Sequence, residues 1–149
     1  MTTPMDHALE QARAAAAEGE VPVGAVVSDA AGNIIAAAHN RTEATQNPLA
    51  HAEFLALQAA AAARGGKYLA DCTITVTLEP CVFCAGAIAA FRLRRLVFGA
   101  YDPKTGAIEH GPRVFTHATT HHKPEIIGGL RDSDCSALLA TFFAGLRNA

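Results

Sequence analysis

The sequence predicts an α/β domain in which helices pack on a central sheet. Helical and strand-like segments alternate along the chain, and no internal repeat, linker or composition break divides its 149 residues. Half of the residues are hydrophobic and 17 % are charged, a balance that can bury a sizeable core and is the opposite of a disordered chain's. The length is that of one domain, 1–149. Seven Pro and twelve Gly are ordinary and exclude collagen-like or low-complexity character.

The elements follow from local signals. Thr3 as cap and Pro4 in the first turn open a helix that runs through Leu9, Ala12 and Ala16 to a stop at Gly19. Val21–Ser28 and Asn33–Ala38 read as strands joined by the turn Asp29-Ala30-Ala31-Gly32, with Pro22 tolerable only near a strand start. His39–Ala50 is polar, contains Pro48 and reads as a loop, which makes His39 a loop residue. From His51 to Ala63 helix formers dominate, closing at Gly65-Gly66. Thr73–Leu78 is a short β-branched strand, and Pro80 opens a helix over Cys81–Phe91. Arg95–Gly99 is the next strand. Tyr101–Thr120, with Pro103, Gly106, Gly111 and Pro112, reads as an irregular surface segment, and Glu125–Gly128 as a last strand. Asp132 or Ser133 caps a final helix whose apolar stripe is Leu138, Leu139, Phe142, Phe143 and Leu146.

Charge and cysteines narrow the function. Fourteen acids against twelve bases give −2, so there is no global attraction to nucleic acid or anionic lipid, and any polyanion must be met locally. Residues 1–11 include Asp6, His7 and Glu10 where a secretory signal needs an apolar run, and no stretch is apolar enough to span a membrane. A soluble cytoplasmic protein without membrane contact is expected. In that setting four cysteines are too few for a disulfide-built domain, and Cys81 and Cys84 read as metal or redox ligands.

Three segments carry chemistry: His51-Ala52-Glu53, Glu79-Pro80-Cys81, and Cys84. Cysteines at i and i+3 on a helix start face one way, and the helix N-terminus favours their thiolates. His51 adds an imidazole. Three protein ligands leave a tetrahedral zinc one position for water, which is a catalytic arrangement, whereas a structural site is closed by a fourth side chain. Two thiolates neutralise the formal charge of zinc, so its water needs help from a base, and Glu53 is placed to take a proton and pass it on. Two plainer readings compete. A closed structural zinc knot needs a fourth ligand such as Cys72, Cys135 or His39 and leaves Glu53 without a task; a redox dithiol makes His51 and Glu53 coincidence.

His-x-Glu followed by Pro-Cys-x-x-Cys is the signature of the zinc nucleobase deaminases, and the chain resembles the cytidine-deaminase-like superfamily, within it the bacterial tRNA adenosine deaminases. The likeness covers about residues 5–147. It rests on Val21-Pro22-Val23-Gly24-Ala25-Val26, His39-Asn40-Arg41, Ala50-His51-Ala52-Glu53 and Thr77–Ala87, and continues through Val97-Phe98-Gly99-Ala100, Asp102-Pro103-Lys104-Thr105-Gly106-Ala107 and Phe142-Phe143. It implies a three-layer α/β/α domain with a mixed central sheet of about five strands and helices on both faces. It also implies one zinc ion per subunit, a homodimer, and hydrolytic deamination of adenosine to inosine at the wobble position of a tRNA anticodon stem-loop. Hydroxide would attack the amine-bearing ring carbon while Glu53 serves the adjacent nitrogen, and ammonia would leave.

By the same resemblance His51, Cys81 and Cys84 hold zinc and Asn40 hydrogen-bonds the flipped base, its amide offering both donor and acceptor. Val23, Gly24, Ala25 and Ala52 lie beside that base, the small residues allowing close backbone approach. Asp102 and Lys104 lie along the anticodon loop, and of Phe142 and Phe143 one is buried while Phe143 reaches the substrate strand. A deaminase of a free base, nucleoside or nucleotide of guanine, cytosine or cytidine type is the alternative on this scaffold. A zinc-stabilised RNA-binding module without catalysis would leave Glu53 unexplained.

The chain departs from the family at its end, where Arg147 is the one base in Phe142–Ala149, and at Tyr101, where a basic or amide residue is common. Weaker electrostatic attraction to tRNA follows, and Tyr101 reads as a residue that packs or, second to that, stacks on a base. Arg92, Arg94 and Arg95 read as a phosphate-facing cluster or, equally, as a solvated strand edge or ion-paired dimer contact, His121-His122 as a surface loop, and Cys72 and Cys135 as reduced, buried small hydrophobes. The Ala- and Gly-rich helix over Cys81–Phe91 permits close approach of a second subunit.

Overall fold

Five strands form one mixed sheet in the computed structural model, which describes residues 1–148. They are β1 (Gly24–Ser28), β2 (Ile34–His39), β3 (Thr73–Leu78), β4 (Arg95–Ala100) and β5 (Glu125–Ile127). Their spatial order is β2-β1-β3-β4-β5; β1 runs antiparallel to both neighbours, and β3, β4 and β5 are parallel. The helices are α1 (Pro4–Ala17), α2 (Thr42–Thr45), α3 (Ala52–Arg64), α4 (Val82–Ala90) and α5 (Asp132–Arg147).

Strand alternation divides the core in two. Ala25, Val27, Ile74, Val76, Leu96 and Phe98 face α3 and α4. Val97 faces the other way and joins Met5, Ala8 and Leu9 of α1 and Cys135 of α5. The result is the expected three-layer α/β/α arrangement. Two glycines set its spacing. A Cβ on Gly24 would meet the Ala8 carbonyl oxygen, Ala12 N at 2.6 Å and Gln11 Cβ at 2.8 Å, and one on Gly99 would meet Cys135 Sγ. Each lets a helix of the α1/α5 layer close on the sheet.

Topology places the functional end. The pairing Ala25 with Val76 brings the start of β1 beside the end of β3, and Gly24 with His39 brings the end of β2 there too. Val23, Asn40, Glu79 and Cys81 therefore converge beyond the carboxyl end of β3, the side on which ligands bind in open α/β folds.

Several boundaries correct the sequence reading. At Pro22 the chain makes a tight turn, with Val23 N–H donating to Val21 O at 2.8 Å, so β1 begins only at Gly24. His39 closes β2 instead of opening the loop, and that loop contains the one-turn α2. The cap of α5 is Arg131, in a left-handed conformation with φ 55°, while the Asp132 carboxylate accepts from Ser136 Oγ at 2.8 Å. Tyr101–Thr120 is not wholly a surface segment, since Ala107, Ile108 and Phe115 are buried in the main core. Phe142 is half-buried and Phe143 is 41 % exposed, so neither is the expected core residue; their rings meet edge-on at 5.4 Å, while Leu138 and Leu139 anchor α5. No helix among the described residues is long and apolar enough to cross a membrane.

Candidate active site

His51 and Cys81 occupy the cap positions of α3 and α4, and Cys84 lies one turn into α4. Neither cap side chain makes a cap hydrogen bond of its own. In their place Asn40 caps α3 from outside, its Oδ1 accepting from Ala52 N–H at 2.8 Å. That bond fixes the orientation of the amide: oxygen toward the helix, NH2 away from it.

Nδ1 of His51 lies 3.5 Å from Sγ of Cys81 and 3.5 Å from Sγ of Cys84. Zinc bonds of about 2.0–2.1 Å to nitrogen and about 2.3 Å to sulfur, at a tetrahedral angle, separate N from S by about 3.6 Å. The separations are those of tetrahedron edges, and the donor set suits zinc. Among the described residues these three form the one group able to hold a metal. The other cysteines and His39 are engaged elsewhere: Cys72 with Arg64 and Asp71, Cys135 with Met5, His39 with Glu18 at 3.0 Å. Among the described residues no fourth protein ligand closes the site, and the structural-knot reading falls. His121-His122 forms no metal group either; His122 Nε2 lies 2.6 Å from the Leu93 carbonyl. Phe83, which the sequence reading did not single out, packs edge-on to the His51 ring at 6.3 Å.

The electrostatics suit the same assignment. Hydrogen bonds from the Cys84 thiol and the His51 ring lower Cys81 to about 4, so it is a thiolate at neutral pH. The Cys81 thiolate and burial hold Cys84 well above the usual thiol range, and hydrogen bonding to Cys81 raises His51. Glu53, 4 % exposed in the first turn of α3, is pushed up to about 7 by burial, with the Cys81 charge adding to it. A divalent ion in the cluster would lower all four groups, adding to the shift of Cys81 and opposing those of His51, Glu53 and Cys84.

Glu53 faces a cavity of about 210 Å³ that His51, Cys81, Val23, Asn40 and Asp102 also line. Beside it runs an open groove of about 680 Å³, bordered by Tyr101, Lys104, Leu139, Phe143 and Arg147. Tyr101 packs edge-on against Phe98 at 5.3 Å and remains 43 % exposed on that groove. Asp102 belongs to both walls, but its carboxylate is bound within its own turn, accepting from Lys104 N, Thr105 N and Thr105 Oγ1.

Two expected neighbours of the base are elsewhere. Gly24 is small because α1 lies against it, and Ala25 is fully buried in the core. Ala52 exposes no side chain, and its N–H is taken by Asn40. The arginine cluster is dispersed: Arg95 pairs with Glu125 at 3.4 Å, and Arg92 lies over the Tyr68 ring at 5.0 Å.

Two buried carboxylates were not singled out by sequence, and both hold the rim. Glu20 accepts from Glu43 N, Ala44 N and Thr42 Oγ1, and Glu79 accepts from the backbone of the segment after β4. Burial pushes both upward, but the backbone amides outweigh it and keep both below the usual carboxylate range.

Residues 2–100 match the cytidine and deoxycytidylate deaminase zinc-binding region. The chain belongs to this deaminase family. Within the family it is similar to the tRNA-specific adenosine deaminase of Agrobacterium fabrum, 45 % identical over 93 % of this chain and 91 % of that one. A solved structure from work on A-to-I editing by tRNA:A34 deaminases superposes with a TM-score of 0.89 at 43 % identity, covering 91 % of this chain and 98 % of the other. A guanine deaminase from Nitrosomonas europaea is similar at 27 % identity and a TM-score of 0.83, covering 95 % and 83 %. The mixed five-stranded sheet is the fold of that tRNA deaminase structure.

Proposed function

We propose that this protein deaminates adenosine to inosine at the wobble position of a tRNA anticodon stem-loop. One observation carries the reading: a His51/Cys81/Cys84 group able to hold a metal lies at a small cavity lined by the Glu53 carboxylate, and that cavity adjoins a groove bearing exposed aromatic and basic side chains. A free nucleobase needs only the cavity, whereas an RNA strand needs the groove.

His51, Cys81 and Cys84 hold one zinc ion per subunit, which supplies Lewis acidity that lowers the pKa of water. Glu53 would accept one proton from the attacking water and pass it to the ring nitrogen next to the amine-bearing carbon, then carry the remaining hydroxyl proton to the amine as the C–N bond breaks and ammonia leaves. Its low exposure keeps the shuttle out of bulk solvent. The Asn40 NH2, turned away from α3, donates to an acceptor on the flipped base, and Val23 packs the cavity wall. Lys104 meets the anticodon phosphates, and Tyr101 and Phe143 offer faces on which bases next to the target stack.

The chain acts as a single deaminase domain, works as a homodimer through the Ala- and Gly-rich α4, and resides in the cytoplasm with its tRNA. The test is zinc-loaded protein incubated with a stem-loop transcript bearing a wobble adenosine, beside free adenosine, cytidine and guanine. Inosine in the transcript supports the reading; conversion of the monomers alone moves the assignment to a small-molecule deaminase, the activity for which the likeness to the guanine deaminase speaks.

A further inference from the structure

Glu79 takes no part in the proton transfers, yet it is among the most fully engaged carboxylates of the site. It lies between β3 and Pro80-Cys81 and is 2 % exposed. Its Oε1 accepts from Asp102 N–H at 3.0 Å and from His110 Nδ1–H at 2.8 Å. Its Oε2 accepts from the amides of Ile108, Glu109 and His110 at 3.1, 2.9 and 3.2 Å. Gly106 is packed on the same group; an added Cβ would lie 2.6 Å from Cδ and 2.7 Å from Oε2. The stretch from 102 to 110 is thus drawn around one buried anion.

That stretch is also the wall between cavity and groove, carrying Asp102, Lys104 and Thr105. His110 is the one side chain that donates to Glu79, and its ring stands edge-on to Tyr101 at 6.2 Å. The framework that presents Cys81 to the metal and the wall that faces the groove are therefore fastened to each other through Glu79 and His110. A wall held this way is organised before any strand arrives, which spares the ordering cost of binding.

We propose that Glu79 and His110 are positioning residues that clamp 102–110 as a preformed seat for the RNA flanking the target base. The inference rests on the RNA reading above. It separates seating from chemistry: loosening the clamp raises the concentration of substrate needed far more than it slows the reaction at saturation.

The test compares zinc-loaded native protein with His110→Ala, His110→Asn and Glu79→Gln. Zinc content, amide hydrogen exchange over 102–110, and single-turnover inosine formation in the stem-loop are measured across protein concentrations. With zinc retained, His110→Ala should exchange faster at 102 and 108–110 and need about tenfold more protein for half-saturation, the loss expected for one hydrogen bond to a charged group. The saturated rate should fall by less. His110→Asn, whose amide N–H can reach the position of Nδ1–H, should recover most of both effects. Glu79→Gln turns an NH2 toward backbone donors and should exceed His110→Ala; should it not fold, the histidine pair decides alone. Faster exchange in His110→Ala with unchanged half-saturation would overturn the proposal, as would a loss confined to the saturated rate or no recovery in His110→Asn. If native protein leaves the stem-loop untouched, the RNA reading fails and takes the seat with it; unchanged exchange in His110→Ala would refute the clamp on its own.

Discussion

Asn40→Asp isolates one donor without disturbing the scaffold. The Asn40 Oδ1 accepts from Ala52 N–H at 2.8 Å, and an aspartate oxygen can make the same bond, so the cap of α3 survives. What changes is the atom turned from the helix into the cavity, from an NH2 donor to a carboxylate oxygen. A base acceptor facing it loses its partner, and the new charge is placed in a cavity that already holds Glu53. Loss of a specific base contact costs about 1–3 kcal/mol, which is about 5- to 150-fold in kcat/KM. Asn40→Ala, which removes the cap as well, should in addition lose about 1 kcal/mol of stability. The assay is kcat/KM on the stem-loop, with zinc content and Tm as controls. Asn40→Asp should keep both controls near native and lose activity. Native kcat/KM in that variant would refute the reading of Asn40 as a base-binding donor.

Further outcomes follow from the same geometry. Zinc affinity should rise with pH between 6 and 8, because binding expels the proton held by Cys84 and that on the raised His51, whereas Cys81, lowered to about 4, is already a thiolate. Chelator competition should give about one to two decades in affinity per pH unit, and a flat profile would contradict the ligand set. Gly99→Ala should destabilise by about 1–3 kcal/mol through its clash with Cys135 Sγ, and Cys135→Ala should return part of it; additivity in urea unfolding would show that the two do not touch. With Lys104 and Arg147 the two bases on the groove among the described residues, the logarithm of tRNA affinity should fall with salt at a slope of about −1.4 to −1.8, and a slope near that of strongly basic binders would mean that phosphates are met elsewhere.

The chemistry was legible from the sequence because it is local. His51 and Glu53 share one helix start, and Cys81 and Cys84 share another, so spacing alone gives ligand geometry. The strands were legible from β-branched runs such as Thr73–Leu78. What failed were inferences that need a partner distant in the chain. Gly24 reads as room for a base until α1 is seen against it, and Ala25 reads as a rim residue until strand pairing puts it in the core. Glu79 looks like a spacer before Pro80, because its partners lie at 102 and 108–110. Tyr101–Thr120 reads as surface from its Gly and Pro content, although wrapping a buried carboxylate sends Ala107, Ile108 and Phe115 inward. Asn40 reads from the sequence as a base-binding side chain and lines the cavity, but its cap on α3 depends on the fold.

The most direct measurement is inosine formation in the stem-loop by native protein and by Glu53→Gln, with zinc measured in both. Glu53→Gln changes no ligand, so it should hold as much zinc as the native chain while its single-turnover rate falls by about 10²–10⁴-fold. Equal rates at equal zinc would contradict the account.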